Sequence, residues 1–416
     1  MRLVLRLLPT LLLPLLVACS ESNQEKASAE AVQAGVTQPA SELATSPKAS
    51  QTKSSSASTA PATDTTQEQA IAAFIGGMKP GQRAGLDSLT KQPAWQAFAA
   101  DANKNWQKYT LTHTVPMTKW AASELDSVHK ASPTIFYPFS GPDFLNVFTL
   151  FPTAQTYVMV GLEPVGSVPN SNTLRNPDLF KAVKASLWSV LNFSFFRTND
   201  MAVDLKSVQL DGALPLIMLF AARTGNQIIA IRPVQLDGTG QLLAAPTDTI
   251  QHISSKNVPG AEVRIRAADG TEKTIYYFSE DISDGNLASH PALLSYVRTL
   301  GPLTTYVKSA TYLMHKTYFS KVRNLILERS QYVLQDDSGI AMKYFPKDWQ
   351  FTYYGTYKRP INLFAKHYQP QLTAAYSDSV HRPRPLPFGT GYNWRQTDSN
   401  LLLAHPKPKN KLQPAS

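Results

Sequence analysis

The chain of 416 residues contains a single cysteine, Cys19. That excludes an intrachain disulfide framework and any zinc site built from several thiolates. Acidic side chains are in deficit, 30 against 40 Lys and Arg, which leaves a net charge of +10. No apolar run reaches the roughly 20 residues that a membrane-spanning helix needs. There is no G-x-S-x-G elbow, no H-E-x-x-H pair and no G-x-x-x-x-G-K-[ST] phosphate loop. The eight histidines are scattered, and none stands three to five residues from another. No cofactor motif is present, and no metal site is expected. Nor does any period of 20–50 residues repeat, so a solenoid is excluded. An apolar share of 43% with 10% aromatics excludes a wholly disordered or fibrous chain.

The N-terminus carries an address. Arg2 and Arg6 precede an apolar stretch from Leu7 to Ala18, interrupted by Pro9, Thr10 and Pro14, which has the size of a signal-peptide core. It ends in Leu16-Val17-Ala18-Cys19, which closely resembles the lipobox of bacterial lipoprotein precursors. The resemblance implies a signal peptide over 1–18, cleavage before Cys19, and acyl chains on its sulfur and new amino group. Several chains anchor stably where one does not. With Cys19 acylated no thiol remains, so cysteine catalysis is excluded. Ser20 stands where an inner-membrane retention signal places Asp. By the same resemblance, the outer membrane is the expected location with the body in the periplasm, the inner membrane or cell surface being the alternatives.

Residues 20–67 are mostly Ser, Thr, Ala, Gln, Glu, Lys and Pro, with no aromatic side chain. Such a composition cannot bury enough surface to offset ordering entropy. A lipidated, disordered tether over 19–67 is therefore expected, with a typical span of roughly 35–40 Å.

A globular body is expected over 68–400. Helices are predicted at 69–78, then from Ala94 to Leu111, where Trp95, Phe98, Ala99, Ala102 and Trp106 recur every three or four residues. After Pro116 a separate helix is predicted up to His129. From Pro133 onward β-branched and aromatic runs mark strands at 134–139, 156–163, 227–235, 263–267, 273–279 and 349–357. Asp269-Gly270 is the strongest hairpin signal, and Asp337-Ser338-Gly339 predicts a second hairpin between Tyr332–Gln335 and Ala341–Phe345. Further helices are predicted at 178–196, 214–222, 290–300, 318–329 and 362–376. Strands and helices mix without strict alternation, which predicts an α+β fold: a helical N-terminal layer packed on a mixed or antiparallel sheet. The body is expected as one domain or as two joined near 240–260, followed by a flexible basic tail over 401–416.

Two loops carry candidate chemistry. Tyr137, Ser140 and Asp143 lie in FYPFSGPDF, where Ser140 offers a nucleophile and Asp143 an acid or ligand holder beside a strand end. Asp336 and Asp337 offer adjacent carboxylates for a cation or for acid–base work. The same residues also serve plain turns. A glycosidase would need two carboxylates at fixed separation, with Asp143, Glu163, Asp336 and Asp337 to choose from. Arg223 could grip an anion or simply end a helix before Gly225. Residues 342–416 hold 11 Lys or Arg and three Asp, interleaved with aromatics including Trp349, Tyr353 and Tyr354, a pattern suited to an anionic partner. The segments FYPFSGPDF and QDDSG resemble those of uncharacterised bacterial secreted proteins, so no residue role transfers.

Three readings follow. The leading one is a non-catalytic envelope lipoprotein that binds peptidoglycan, lipopolysaccharide or an envelope protein, with no nucleic acid involved. The others are a hydrolase acting on an envelope polymer and an assembly or scaffold protein.

Overall fold

The computed structural model describes residues 65–81, 85–193, 210, 212–245 and 257–407. The signal peptide, Cys19, nearly all of the predicted tether and the last residues of the predicted basic tail lie outside the described residues.

Among the described residues a mixed sheet of ten strands runs in the order β4-β3-β5-β6-β2-β1-β7-β8-β10-β9. Its centre consists of five parallel strands: β1 (Thr134–Tyr137), β2 (Thr156–Gly161), β6 (Glu272–Ser279), β7 (Leu303–Val307) and β8 (Ser330–Gln335). Antiparallel strands flank it: β5 (Val258–Arg266), β3 (Gln227–Leu236) and β4 (Leu242–Ala244) on one side, β10 (Asn400–Pro406) and β9 (Trp349–Gly355) on the other. The α+β class is as the sequence predicts, and the parallel centre is what the local runs do not disclose. A parallel strand buried on both faces reads as a short apolar run and gives no sign of which strand it pairs with.

Alternation along the strands divides two cores. Ile135, Tyr137, Tyr157, Met159, Tyr306 and Leu334 face one side. Phe136, Val158, Val160, Leu303, Val307 and Val333 face the other. The first side is covered by α1 (Gln67–Ile75), α2 (Pro93–Tyr109), α3 (Val115–Glu124), α4 (Phe144–Leu150), α5 (Leu179–Phe193) and α6 (Leu214–Arg223). The second is covered by α7 (Ala292–Thr299) and α8 (Ser320–Arg329). The tryptophan stripe of α2 and α3 belongs to the first core: Trp95, Trp106 and Trp120 are all buried.

Several boundaries differ from those the sequence predicts. Thr66 caps α1 through its hydroxyl, which also donates to the Ile228 carbonyl at 2.8 Å, so order begins before residue 67. Pro116 does not interrupt the helical path. A π-helical turn over Thr110–Thr114 joins α2 to α3, and Pro116, within the first two positions of α3, needs no amide hydrogen there. The predicted helix over 362–376 is a 3-10 segment, Asn362–His367, followed by α9 (Pro370–Tyr376), because Pro370 starts a new helix. The hairpin expected around Asp337-Ser338-Gly339 is absent, since Met342–Tyr344 is a 3-10 turn and β8 lies between β7 and β10. The tail expected from 401 is corrected too: Leu401–Ala404 are buried in β10, paired on both sides. The sheet is also continuous across 240–260, where β3 pairs with β5 from Gln227 to Leu236.

From β1 the chain moves to β2 through α4 on the first face. It later returns beyond β1 to β7 and goes on to β8 through α8 on the opposite face. The direction of winding thus reverses at the β1–β7 junction. At such a junction the loops leaving the carboxyl ends of neighbouring strands diverge and open a crevice.

Candidate functional site

The loops after β1, β2, β6 and β7 surround a cavity of about 350 Å³ at the carboxyl ends of these strands. Its innermost feature is an ion pair. Lys308, directly after β7, places Nζ 2.7 Å from Asp143 Oδ2, and both side chains are only 2% exposed. The same oxygen accepts the Tyr137 hydroxyl at 2.9 Å, while Oδ1 accepts the Asn146 amide at 3.2 Å and Asn146 Nδ2 at 2.8 Å. Asp143 thereby caps α4 and fixes Lys308 and Tyr137 together. Burial, and then the charge of Asp143, push the Tyr137 hydroxyl well above its ordinary pKa, so it stays a proton donor to the carboxylate.

The β7 loop forms the next wall under backbone strain. Ser309, Thr311 and Tyr312 all have positive φ, as has Phe139 across the cavity in the β1 loop. Non-glycine residues in that region cost of order 1–3 kcal/mol each and persist only where neighbours dictate them. Here the neighbours are explicit. Asp336 Oδ2 accepts the Ser309 amide at 2.8 Å, Ser338 Oγ accepts the Ala310 amide at 2.8 Å, and the Tyr392 hydroxyl donates to the Ser309 carbonyl at 2.7 Å.

Carboxylates line the remaining wall. Glu163 rests over two glycines: a Cβ on Gly161 would fall 2.4 Å from its Oε2, and one on Gly141 3.1 Å from its Oε1. The Tyr277 hydroxyl reaches the Glu163 carbonyl at 2.8 Å. Glu280 and Asp281 follow β6, and burial raises the Glu280 carboxyl pKa. Apolar walls come from Phe139, Ile282, Leu313 and Phe319, with the Phe139 and Phe319 rings 5.8 Å apart. With Lys308 paired to Asp143, the cavity presents Glu163, Glu280 and Asp281 with no second Lys or Arg among its lining residues. Its chemistry suits a small polar molecule with a cationic group and an apolar face.

Of the candidates read from the sequence, Tyr137, Ser140, Asp143 and Glu163 line this cavity. Ser140 directs its hydroxyl at the carbonyls of Gly141, 2.9 Å, and Val160, 3.2 Å, an arrangement that holds the loop on β2 rather than activating an oxygen. Asp336 and Asp337 sit at the same end of the sheet, after β8, but outside the cavity and fully enclosed. Asp336 holds the β7 loop and its own turn through Ser338. Asp337 accepts the Tyr312 hydroxyl on Oδ2 and Asn400 Nδ2 on Oδ1 at 3.1 Å. Burial and then the neighbouring Asp336 raise the Asp337 carboxyl to about 7, and burial also raises that of Asp336.

Arg223 lies elsewhere. It ends α6, donates to the Gly76 carbonyl and to Asn103 Oδ1, and stacks on Trp106 at 5.4 Å, joining helices of the first layer. Trp349 and Tyr354 are buried in the two cores, and Tyr353, half-buried, packs on Tyr376 at 5.2 Å. The aromatic residues of β9 are therefore mostly interior.

Lys308, Glu280 and Asp281 are the cavity residues that sequence motifs miss. One local signal marks them and Glu163 alike: each follows an apolar strand run within two residues (LTTYV, TIYYFS and TYVMVG), where a carboxyl-end site in a parallel sheet finds its side chains. No protein family, curated protein or solved structure matches this chain.

Proposed function

We propose that this chain is a non-catalytic binding protein of the bacterial envelope, moored through acylated Cys19, whose body holds a small polar, amine-bearing molecule in the cavity at the strand ends. The observation that carries the binding reading is the cavity itself, placed where the winding of the sheet reverses and floored by the buried Asp143–Lys308 pair. The mooring rests on Leu16-Val17-Ala18-Cys19. Amine-bearing fragments of peptidoglycan and amino sugars fit both the address and the carboxylates. The polar groups that a hydrolase would need free, on Ser140, Asp143, Asp336 and Asp337, are instead spent on holding loops.

Thermal shift and calorimetric titration of the full chain with amino sugars and muropeptides test this. A saturable stabilisation is expected, lost in a Glu163→Gln, Glu280→Gln double variant. Absence of stabilisation by every compound, or its survival in that variant, would reject the reading. Mass spectrometry of the native product tests the mooring, with a diacyl or triacyl Cys19 at its N-terminus as the expected species.

A further inference from the structure

Beside the β7 loop three stretches of chain meet that carry six lysines and no acidic residue of their own. The first, residues 309–327, also walls the cavity through Leu313 and Phe319, and the Asp284 carboxylate accepts its Ser320 and Lys321 amides. Residues 309–327 and 338–347 contain no Asp or Glu, and neither do residues 349–377. They join through rings and hydrogen bonds. Tyr312 packs on Phe364 at 4.9 Å and on His367 at 5.0 Å, and the His315 and His367 rings lie 5.5 Å apart. The Tyr344 hydroxyl donates to the His315 carbonyl at 3.3 Å, and the Met342 amide donates to Gln369 Oε1 at 2.9 Å.

This framework carries Lys316, Lys343 and Lys366. Lys343 and Lys366 are exposed and Lys316 is half-exposed. Lys343 Nζ lies 4.9 Å from the Tyr344 ring centre, and the Arg323 guanidinium 3.7 Å from it. The lysine charges reach His315 and His367, where they act with burial to hold both imidazoles below their ordinary pKa. The same stretches expose large apolar side chains: Leu363 is 76% exposed, Tyr318 54% and Tyr368 47%.

We infer that this face docks on an anionic phospholipid surface, its lysines meeting the phosphates while Leu363, Tyr318 and Tyr368 enter the headgroup layer. Charge complementarity selects an anionic partner. Exposed apolar and aromatic groups beside the cations select a lipid interface over a hydrated acidic glycan, because only the former has an apolar layer for them to enter.

The test is vesicle flotation with the full chain carrying Cys19→Ser, so that no acyl chain contributes. Vesicles are made of phosphatidylcholine alone or mixed equally with phosphatidylglycerol. Binding is expected only to the mixed vesicles, falling about a hundredfold in a Lys316→Gln, Lys343→Gln, Lys366→Gln variant and measurably in Leu363→Ser. Unchanged thermal unfolding of both variants shows that the fold is intact. No binding to mixed vesicles, equal binding by the triple variant, or full binding by Leu363→Ser would each overturn the inference. The last of these would reduce the effect to charge attraction without docking.

Discussion

The turn after β1, Ser140-Gly141-Pro142-Asp143, and the turn after β8, Asp336-Asp337-Ser338-Gly339, draw on the same residue types and end parallel strands of one sheet. The first opens onto the cavity and delivers its carboxylate to Lys308, directly after β7. The second is closed over by Tyr312, Asn400 and Gly391, and delivers its carboxylates to backbone amides and neutral donors. What separates them is the supply of partners from other strands. A carboxylate enclosed among neutral donors beside a second carboxylate is driven toward its protonated form.

The largest effect is expected on the β1 side. Lys308→Met leaves Asp143 buried without its cation, and chemical denaturation should show a loss of about 3–5 kcal/mol. Asp143→Asn in the same background should recover part of it, because the cap on α4 survives while the unpaired charge goes. Failure of the second change to help would mean that the pair is not what holds the junction.

A smaller loss, about 1–3 kcal/mol, is expected for Asp336→Ala, which strands the Ser309 amide. Hydrogen exchange should speed up at Ser309 and Ala310 before the rest of the sheet responds. Protection unchanged at those two amides would show that the β7 loop keeps its strained backbone without Asp336.

The finest distinction is in pH dependence. Asp337 titrates at about 7 in the folded state against an ordinary 3.8. Between those values the native state keeps a proton that the unfolded chain has released, so this group makes stability fall as pH rises. His315, held down to about 4 mainly by burial against an ordinary 6.5, does the reverse. Its unfolded form takes up the extra proton, so stability rises with pH over that window. The two slopes oppose each other, and the wild-type profile should be shallow. Asp337→Asn should turn the profile toward rising stability between about pH 4 and 6.5, and His315→Gln should turn it toward falling stability up to about pH 7. Parallel profiles for wild type and both variants would remove either group from the account.

Much of the fold is legible locally. The helical stripe from Trp95 to Trp106, the Asp269-Gly270 hairpin between β5 and β6, and the apolar runs of β1, β2, β3 and β9 follow from periodicity and turn chemistry. β7 and β10 are not legible in that way. LTTYV and NLLLAHP are short, and they become strands because neighbours supply ladders on both sides. The candidate site divides similarly. Tyr137, Ser140 and Asp143 stand out beside a strand end, but their partner Lys308 is separated from Asp143 by 165 positions and has no motif around it. The histidines make the same point, since His315 and His367 lie 52 positions apart and still share one aromatic cluster.

By itself the sequence determined the local properties of this protein: an α+β set of elements and two turns able to end strands. These depend on side chains within a few positions of one another. Tertiary structure alone decided that five strands run parallel, that the winding reverses between β1 and β7, and that Asp143 meets a lysine while Asp337 meets a tyrosine. Strand order and charge partnership are relations between distant segments, and the energy of a buried charge depends on which of them arrive beside it.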